Sequence, residues 1–579
     1  MDHVPPPPPS DVPPMPDGGD QTPPPPPTGG RATKVALIAV AAVVGIAVVA
    51  GAAAFFLLKG SGEQLLDNVP ASADVVAAVY LDPSAGQKTN LLRLADEIPA
   101  LGSREQLTSQ AQDTIDQLLS QAGLGHEDLE WVGAEVAVAV SLPDDDTEPG
   151  VVVLIDADDE AAAAQTLADL RESDAGAAWE TRDHDGVEVW AATNDALDSG
   201  AYAIVDGVVA ASNDQALIDE VIDVTHGNGA AIADDEAFTE TTGELPDGKL
   251  AMVYVNPGDL VQRVNELQGL TSDPDLAQSL EAAEALTGMA MSLSAESDGM
   301  AVDVEVSIDP SKLSDSIRAT LSEEPAGNAL LTAVPNDALV VMAQQGLDAS
   351  IADAVDEIET FSPDVAKMLA DAGVTGEGGV VDSLTGDIAL TALPGVDGGT
   401  PSGAFLIGTE DEAALSDAAN DLIQQFTADS VTSGNGGKDS VASSVEWRTE
   451  DYQGVEVHTL GGSPDESLTE VSYAVIQGAG VIALTPDAMH AVIDAQQGGD
   501  GITTSSAYAD AMDGMPDGSV SVFVDIDGIA DAIRATIPPD QAAEFDRFAG
   551  ETMDHLDSFV VGSEQSEEHV HVRMFLRVP

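Results

Sequence analysis

Between Val35 and Leu58 the chain runs 24 residues without a charge, almost all of them apolar. As a helix this stretch rises about 36 Å, enough to cross a hydrocarbon core of about 30 Å with some tilt. The pattern predicts one transmembrane helix over 35–58. Beyond it, two shorter periods alternate. Leu415, Ala418, Ala419, Leu422, Ile423 and Phe426 recur at helical spacing after Glu412, a single buried stripe. Trp179 to Arg182 and Val187 to Trp190 alternate about Asp185-Gly186, a hairpin signature in which glycine supplies positive φ, and Gln453-Gly454 is placed likewise. Met289 to Glu296 with Met300 to Ile308, and Ser558 to Ser563 with His569 to Val578, read as two further pairs of alternating strands. Strands joined by tight turns are antiparallel, and helices interrupt these at irregular intervals, so the predicted class is α+β with mixed, mainly antiparallel sheets.

The landmarks recur in order, which predicts an internal duplication. Leu65-Leu66-Asp67-Asn68-Val69-Pro70 returns as Leu330-Leu331-Thr332-Ala333-Val334-Pro335, each time opening an apolar run. Gly150 to Ile155 followed by Asp158-Asp159-Glu160 is answered by Ser402 to Ile407 followed by Glu410-Asp411-Glu412, a strand feeding an acid-started helix. Trp179 through Val189 matches Trp447 through Val457 without a gap, Tyr202-Ala203-Ile204 matches Tyr473-Ala474-Val475, and Leu245-Pro246-Asp247-Gly248 matches Met515-Pro516-Asp517-Gly518. Two homologous copies are expected, over 64–325 and 329–579, joined near Glu324 to Asn328.

Residues 1–34 hold Pro5 to Pro9 and Pro23 to Pro27 with Gly18, Gly19, Gly29 and Gly30 around them. Proline lacks an amide donor and fixes φ, so this tail cannot build a core and is expected to be extended or disordered. It is a spacer, or a ligand for an aromatic-lined groove on a cytoplasmic partner. Arg31 and Lys34 precede the span, whereas Lys59 is soon joined by Glu63 and Asp67, which places the tail in the cytoplasm and the bulk of the chain outside the plasma membrane. Ala52, Ala53 and Ala54 offer a peptidase small residues, but the apolar run is longer than the 7 to 15 residues of a cleaved signal, so a retained anchor is expected.

Composition narrows the chemistry. The chain has no cysteine, which removes thiol catalysis, disulfides and a lipidated cysteine anchor together. Hydrophobic residues make up 44% but aromatics only 4%, so the core must be built mainly from Ala, Val, Leu and Ile. The formal charge is −84. Beyond residue 58 there are 17 basic against 99 acidic residues, a formal −82, which repels nucleic acid and anionic headgroups and gathers counterions.

The single span behind a proline-rich tail, the proline-led strand openings and the duplicated α+β ectodomain resemble the bacterial membrane-anchored proteins grouped as domain of unknown function 3352. The resemblance covers the chain from about the span onward. It implies an exported, membrane-tethered protein, and it brings no substrate and no functional residue with it.

Candidate chemistry is sparse. His569 and His571 lie two apart on a strand and so share a face, with Glu567 at the same parity, which is a metal-like arrangement. The alternation also puts Val570, Val572, Met574, Leu576 and Val578 inward, so the histidines are expected on the wet face. Asp144, Asp146 and Glu148 have the spacing of a calcium loop, but Pro149 stands where the turn glycine is needed and Ile155 where the bidentate Glu belongs. Asp525-Ile526-Asp527-Gly528 falls at a strand-to-helix junction, where an aspartate is an ordinary N-cap. Gly461-Gly462-Ser463-Pro464 is a loop and not a nucleophile elbow. Glu188 and Glu456 recur in both copies, but each lies between two valines and is expected to face water. His184 and His458 have Tyr452 and Trp190 as counterparts, as exposed hairpin positions allow. No catalytic residue, metal ligand or cofactor is assigned. The expectation is a binding or scaffolding protein of the cell envelope, with an envelope hydrolase or lipid carrier working between the copies as the alternative.

Overall fold

A computed structural model describes residues 65–579 apart from 82, 98–129, 143–148, 174–177, 193–199, 258–283, 314–317, 319–320, 322–326, 348–361, 372, 376–378, 397–398, 422–445, 462–469, 517, 519 and 552. The tail over 1–34, the transmembrane helix expected over 35–58, the Asp144 loop, Ser463 and most of the joint near Glu324 lie outside the described residues. Every described residue belongs to the compact unit Val49–Pro579. Among the described residues no helix is long and apolar enough to cross a membrane.

The fold is α+β. Among the described residues ten strands precede residue 310: β1 (Val75–Tyr80), β2 (Val132–Ser141), β3 (Gly150–Ala157), β4 (Trp179–His184), β5 (Val187–Ala192), β6 (Ala201–Val205), β7 (Val208–Ser212), β8 (Ala251–Val255), β9 (Leu286–Glu296) and β10 (Gly299–Ile308). Ten follow: β11 (Val340–Gln344), β12 (Leu384–Leu393), β13 (Ser402–Thr409), β14 (Glu446–Tyr452), β15 (Val455–Gly461), β16 (Val471–Ile476), β17 (Ala479–Ala483), β18 (Val520–Asp525), β19 (Ser558–Gln565) and β20 (His569–Arg577). All belong to one 20-stranded sheet. From one edge the order in the first half is β4-β5-β6-β7-β3-β2-β1-β8-β9-β10. β10 then pairs with β20, and the sheet continues β19-β18-β11-β12-β13-β17-β16-β15-β14. Every pairing is antiparallel, so the mixed sheets expected from the sequence are corrected to a single, wholly antiparallel one.

Local chemistry explains the turns and breaks. Asp185-Gly186 and Gln453-Gly454 both sit at positive φ, as a two-residue hairpin following the right-handed twist of its strands requires. The β2–β3 ladder shifts register between Val132 and Val136, and the β12–β13 ladder between Leu384 and Ile388. At the first bulge the Asp156 carboxylate accepts the Ala134 N–H at 2.8 Å, replacing the partner that the interrupted ladder withdraws.

The helices that matter for packing are α1 (Ala85–Glu97), α2 (Glu160–Ser173), α3 (Gln215–Thr225), α4 (Glu236–Gly243), α5 (Pro486–Gly498), α6 (Ser506–Met512), α7 (Ile526–Thr536) and α8 (Pro539–Glu551). Acid-started helices follow β3 and β13 as the sequence predicts. Asp159 accepts from Ala161 and Ala162 N–H, and Asp411 from Ala414 N–H. On one face of the sheet α3 buries Leu217, Ile218, Val221 and Ile222 against Val76, Ala78 and Leu154, while α5 buries Met489, Val492 and Ile493 against Val341, Ala389 and Leu406. α4 and α6 extend this layer toward the middle, with Phe238 edge-on to Tyr254 at 4.9 Å and Tyr508 edge-on to Phe523 at 5.3 Å. The opposite face of the first half is covered by α2, where Ala163 packs with Val79, Val209 and Ala251, and by α1, where Leu94 packs with Leu250, Ala295 and Val578. On that face of the second half Met342, Leu390 and Ile482 each keep about half their surface exposed.

Candidate functional site

One row of side chains crosses the sheet on the face that carries both cores. Following the strand registers it runs Ala78, Met252, Ser292, Asp303, Arg573, Gly562, Ser521, Ala343, Ala389 and Leu406. It is apolar at both ends and polar in the middle, where β10 meets β20. Successive residues of a strand point to opposite faces, so Ala301, Asp303, Glu305 and Ser307 share this face of β10 and His569, His571, Arg573 and Phe575 that of β20. Asp303 stands opposite Arg573, Glu305 opposite His571, and Ser307 opposite His569.

These acids are deeply placed. Asp303 is 0% and Glu305 4% exposed. One Asp303 oxygen serves both neighbours, at 3.1 Å from His571 Nε2 and 3.3 Å from Arg573 Nη1. Glu305 lies 3.7 Å from the same imidazole nitrogen. Arg573 also meets Glu296, at the end of β9. Asp303 Oδ2, Glu305 Oε2 and the Ser292 and Ser294 hydroxyls are buried without a hydrogen-bond partner, a costly state for carboxylate oxygens unless a proton relieves them. The Thr241 hydroxyl of α4 reaches the Ser307 hydroxyl at 2.8 Å, and Gly288 of β9 is bare because a Cβ there would run into Thr241. Burial pushes the Glu305 carboxyl up to about 7, with Glu244, Asp303 and Glu564 adding to the rise and His571 opposing it. The hydrogen bond to Asp303 raises the pKa of His571 above the ordinary imidazole range against the pull of desolvation, and Glu305 adds to the rise.

His571 is therefore not on a wet face, as the alternation had suggested. The two faces are reversed: the face of β10 and β20 that carries Asp303, Glu305 and Phe575 is the buried one, and the valines of both strands are only half-buried on the other. Period-two alternation marks the two faces of a strand but not which of them is covered. His569 turns away to the Ser566 hydroxyl at 3.0 Å. Among the described residues no three His, Asp or Glu side chains have a geometry that could hold a metal ion. Asp525 is the N-cap expected of it, accepting from Gly528 N–H at 2.8 Å. The neighbouring acids Asp531, Asp546 and Asp554 gather on Arg534. Glu188 and Glu456 face water, close to Trp190 and His458. His184 and His458 are less exposed than their hairpin positions suggested: the first lies 2.9 Å from Asp223, and the second stacks on Tyr473 at 5.1 Å.

Sequence patterning alone missed Asp303 and Glu305, because acids alternating with valines look solvated. The signal that would have found them is complementarity between the terminal hairpins: two acids on β10 share parity with a histidine and an arginine on β20.

No curated protein matches the chain significantly. Solved structures of TP0453 show a likeness at 12% identity: one crystal form covers 46% of this chain and 91% of that one with a TM-score of 0.24, another 42% and 79% with 0.23. The profile of the family described as "Protein of unknown function (DUF3352)" matches residues 38–443. With most of its length matched, from within the apolar run through β13, the chain belongs to the DUF3352 family.

Proposed function

We propose that this is a single-pass protein of the cell envelope, its proline-rich tail cytoplasmic and its acidic sheet domain outside, acting as a rigid binding or scaffolding element. The observation that carries this is the β10–β20 pairing, which turns two ten-stranded halves into one continuous sheet. Nineteen steps of about 4.8 Å separate its edges by roughly 90 Å along the sheet before twist is considered. A hydrolase or lipid carrier working between the halves needs an accessible cleft with reactive groups. The carboxylates at this junction are instead sealed in the core layer, which favours the scaffold.

The same reading includes two copies of one unit, and the registers support it. Val75 of β1 and Val340 of β11 follow Pro70 and Pro335 by the same interval. They pair with Val255 and Val524, which sit beside Met289 and Phe559, which in turn sit beside Val306 and Leu576. On that correspondence Asp303 and Arg573 are the same position in each copy and face one another on the pseudo-two-fold axis. The bridges Pro70–Ala231 and Pro335–Gly501 and the two matched bulges fall in step as well.

Topology is the direct test. Protease added to intact spheroplasts removes the region after Lys59 and spares an epitope near His3. Protection of the sheet domain instead defeats the envelope assignment, while crosslinking in intact membranes followed by purification identifies the partner the scaffold holds.

A further inference from the structure

We propose that the β10–β20 seam is a proton-operated latch: it holds the two halves of the sheet together while Glu305 is protonated and His571 is charged, and it loosens when those protons leave. The charge balance of the buried cluster carries the inference. With both protons in place, Asp303 and Glu296 face Arg573 and His571, two negative charges against two positive. Loss of either proton leaves one uncompensated negative charge, and loss of both leaves two, in a place where water cannot reach the Glu305 and Asp303 oxygens that already lack partners. Among the described residues no other cation is at hand, because Arg573 is shared between Asp303 and Glu296 and Arg577 is engaged by Asp298 at 2.7 Å.

The surroundings reinforce this direction. From β19, Glu564 stands opposite His571. Beyond the end of α4, Glu244 bears on Glu305, and the acids of α4 itself, Glu236 and Glu240, are exposed. From β20, His569 is tied to Ser566. β9 contributes Glu296 and the uncharged Ser292 and Ser294. Among the described residues, every charged group around Glu305 apart from the histidines and the arginine is acidic, so none of them takes up the charge that appears on ionisation.

The sign follows from which state binds more protons. Glu305 titrates near 7 in the closed seam and near 4.5 when free, so opening releases a proton between those values and the closed seam weakens as pH climbs through that window. His571, also raised, keeps its contribution below its free value and loses it as pH passes its closed value. Both groups favour the closed seam in acid.

Hydrogen exchange on the full chain in detergent, at pH 5.5 and pH 8.5 and corrected for intrinsic exchange, reads the latch directly. Amides of Gly299–Ile308 and His569–Arg577 are expected to open about tenfold or more often at the higher pH, while those of Val75–Tyr80 and Leu384–Leu393 change much less. Glu305→Gln, which mimics the protonated acid, should remove most of that difference. Equal protection of β10 and β20 at the two pH values in the unaltered protein overturns the proposal without recourse to any variant. So does a Glu305→Gln protein that keeps the full difference, or one in which control and seam amides open together.

Discussion

Asp303 shows how one residue can organise a junction. Its carboxylate has no exposed surface and is shared by an imidazole on one side and a guanidinium on the other. Asp303→Ala leaves both cations facing a buried void, and a loss of about 3 kcal/mol in unfolding free energy is expected, read from the shift of a urea midpoint at pH 6. Because the groups act together, Asp303→Ala combined with Arg573→Leu should cost less than the sum of the two single changes, by about 1–3 kcal/mol. Strict additivity would mean that the pair contributes nothing beyond volume. Phe575 lies beside this network with the guanidinium groups of Arg573 and Arg577 at 5.8 and 6.0 Å from its ring, so the polar middle of the row grades into packing rather than ending abruptly.

At the scale of elements, β4 and β14 are the edges of the sheet among the described residues, and both carry charge. Glu180 and Asp183 are exposed on the first, Glu450 and Asp451 on the second, which discourages edge-to-edge pairing of chains. Replacing Glu180 and Asp183 by valine should produce concentration-dependent association in light scattering, whereas the same change at Glu236 and Glu240 of α4 should not. Much of this level was legible beforehand. The Asp185-Gly186 and Gln453-Gly454 tips, the β9–β10 and β19–β20 hairpins and the acid-capped helices follow from nearest-neighbour chemistry, and the structure places them where the sequence predicts. The β10–β20 pairing was not legible, because it joins positions about 270 residues apart in sequence and depends on which strand edges remain free once each half has formed. The inward turn of Asp303 and Glu305 was hidden because alternation separates the two faces of a strand without naming the covered one, and here the acids are buried while the valines between them are only half-buried.

For the whole molecule, charge is the dominant physical fact. With 99 acidic and 17 basic residues after position 58, folding concentrates acids whose mutual repulsion exceeds that in the expanded chain. Arg534 already serves three of them, Asp531, Asp546 and Asp554. Screening relieves the repulsion as the Debye length falls from about 10 Å at 0.1 M salt to about 3 Å at 1 M. The melting temperature should therefore rise between 0.05 M and 1 M, with sodium and potassium chloride acting alike. The seam responds differently, because its charges are buried and only weakly screened, so salt should stabilise the protein while leaving the pH dependence of β10 and β20 largely in place. A large extra gain from micromolar calcium would reveal a specific site, with the Asp144 and Asp525 segments the places to look. A melting temperature that stays flat or falls over this range would show that the sheet tolerates its acids without help, and that interactions other than surface repulsion limit its stability.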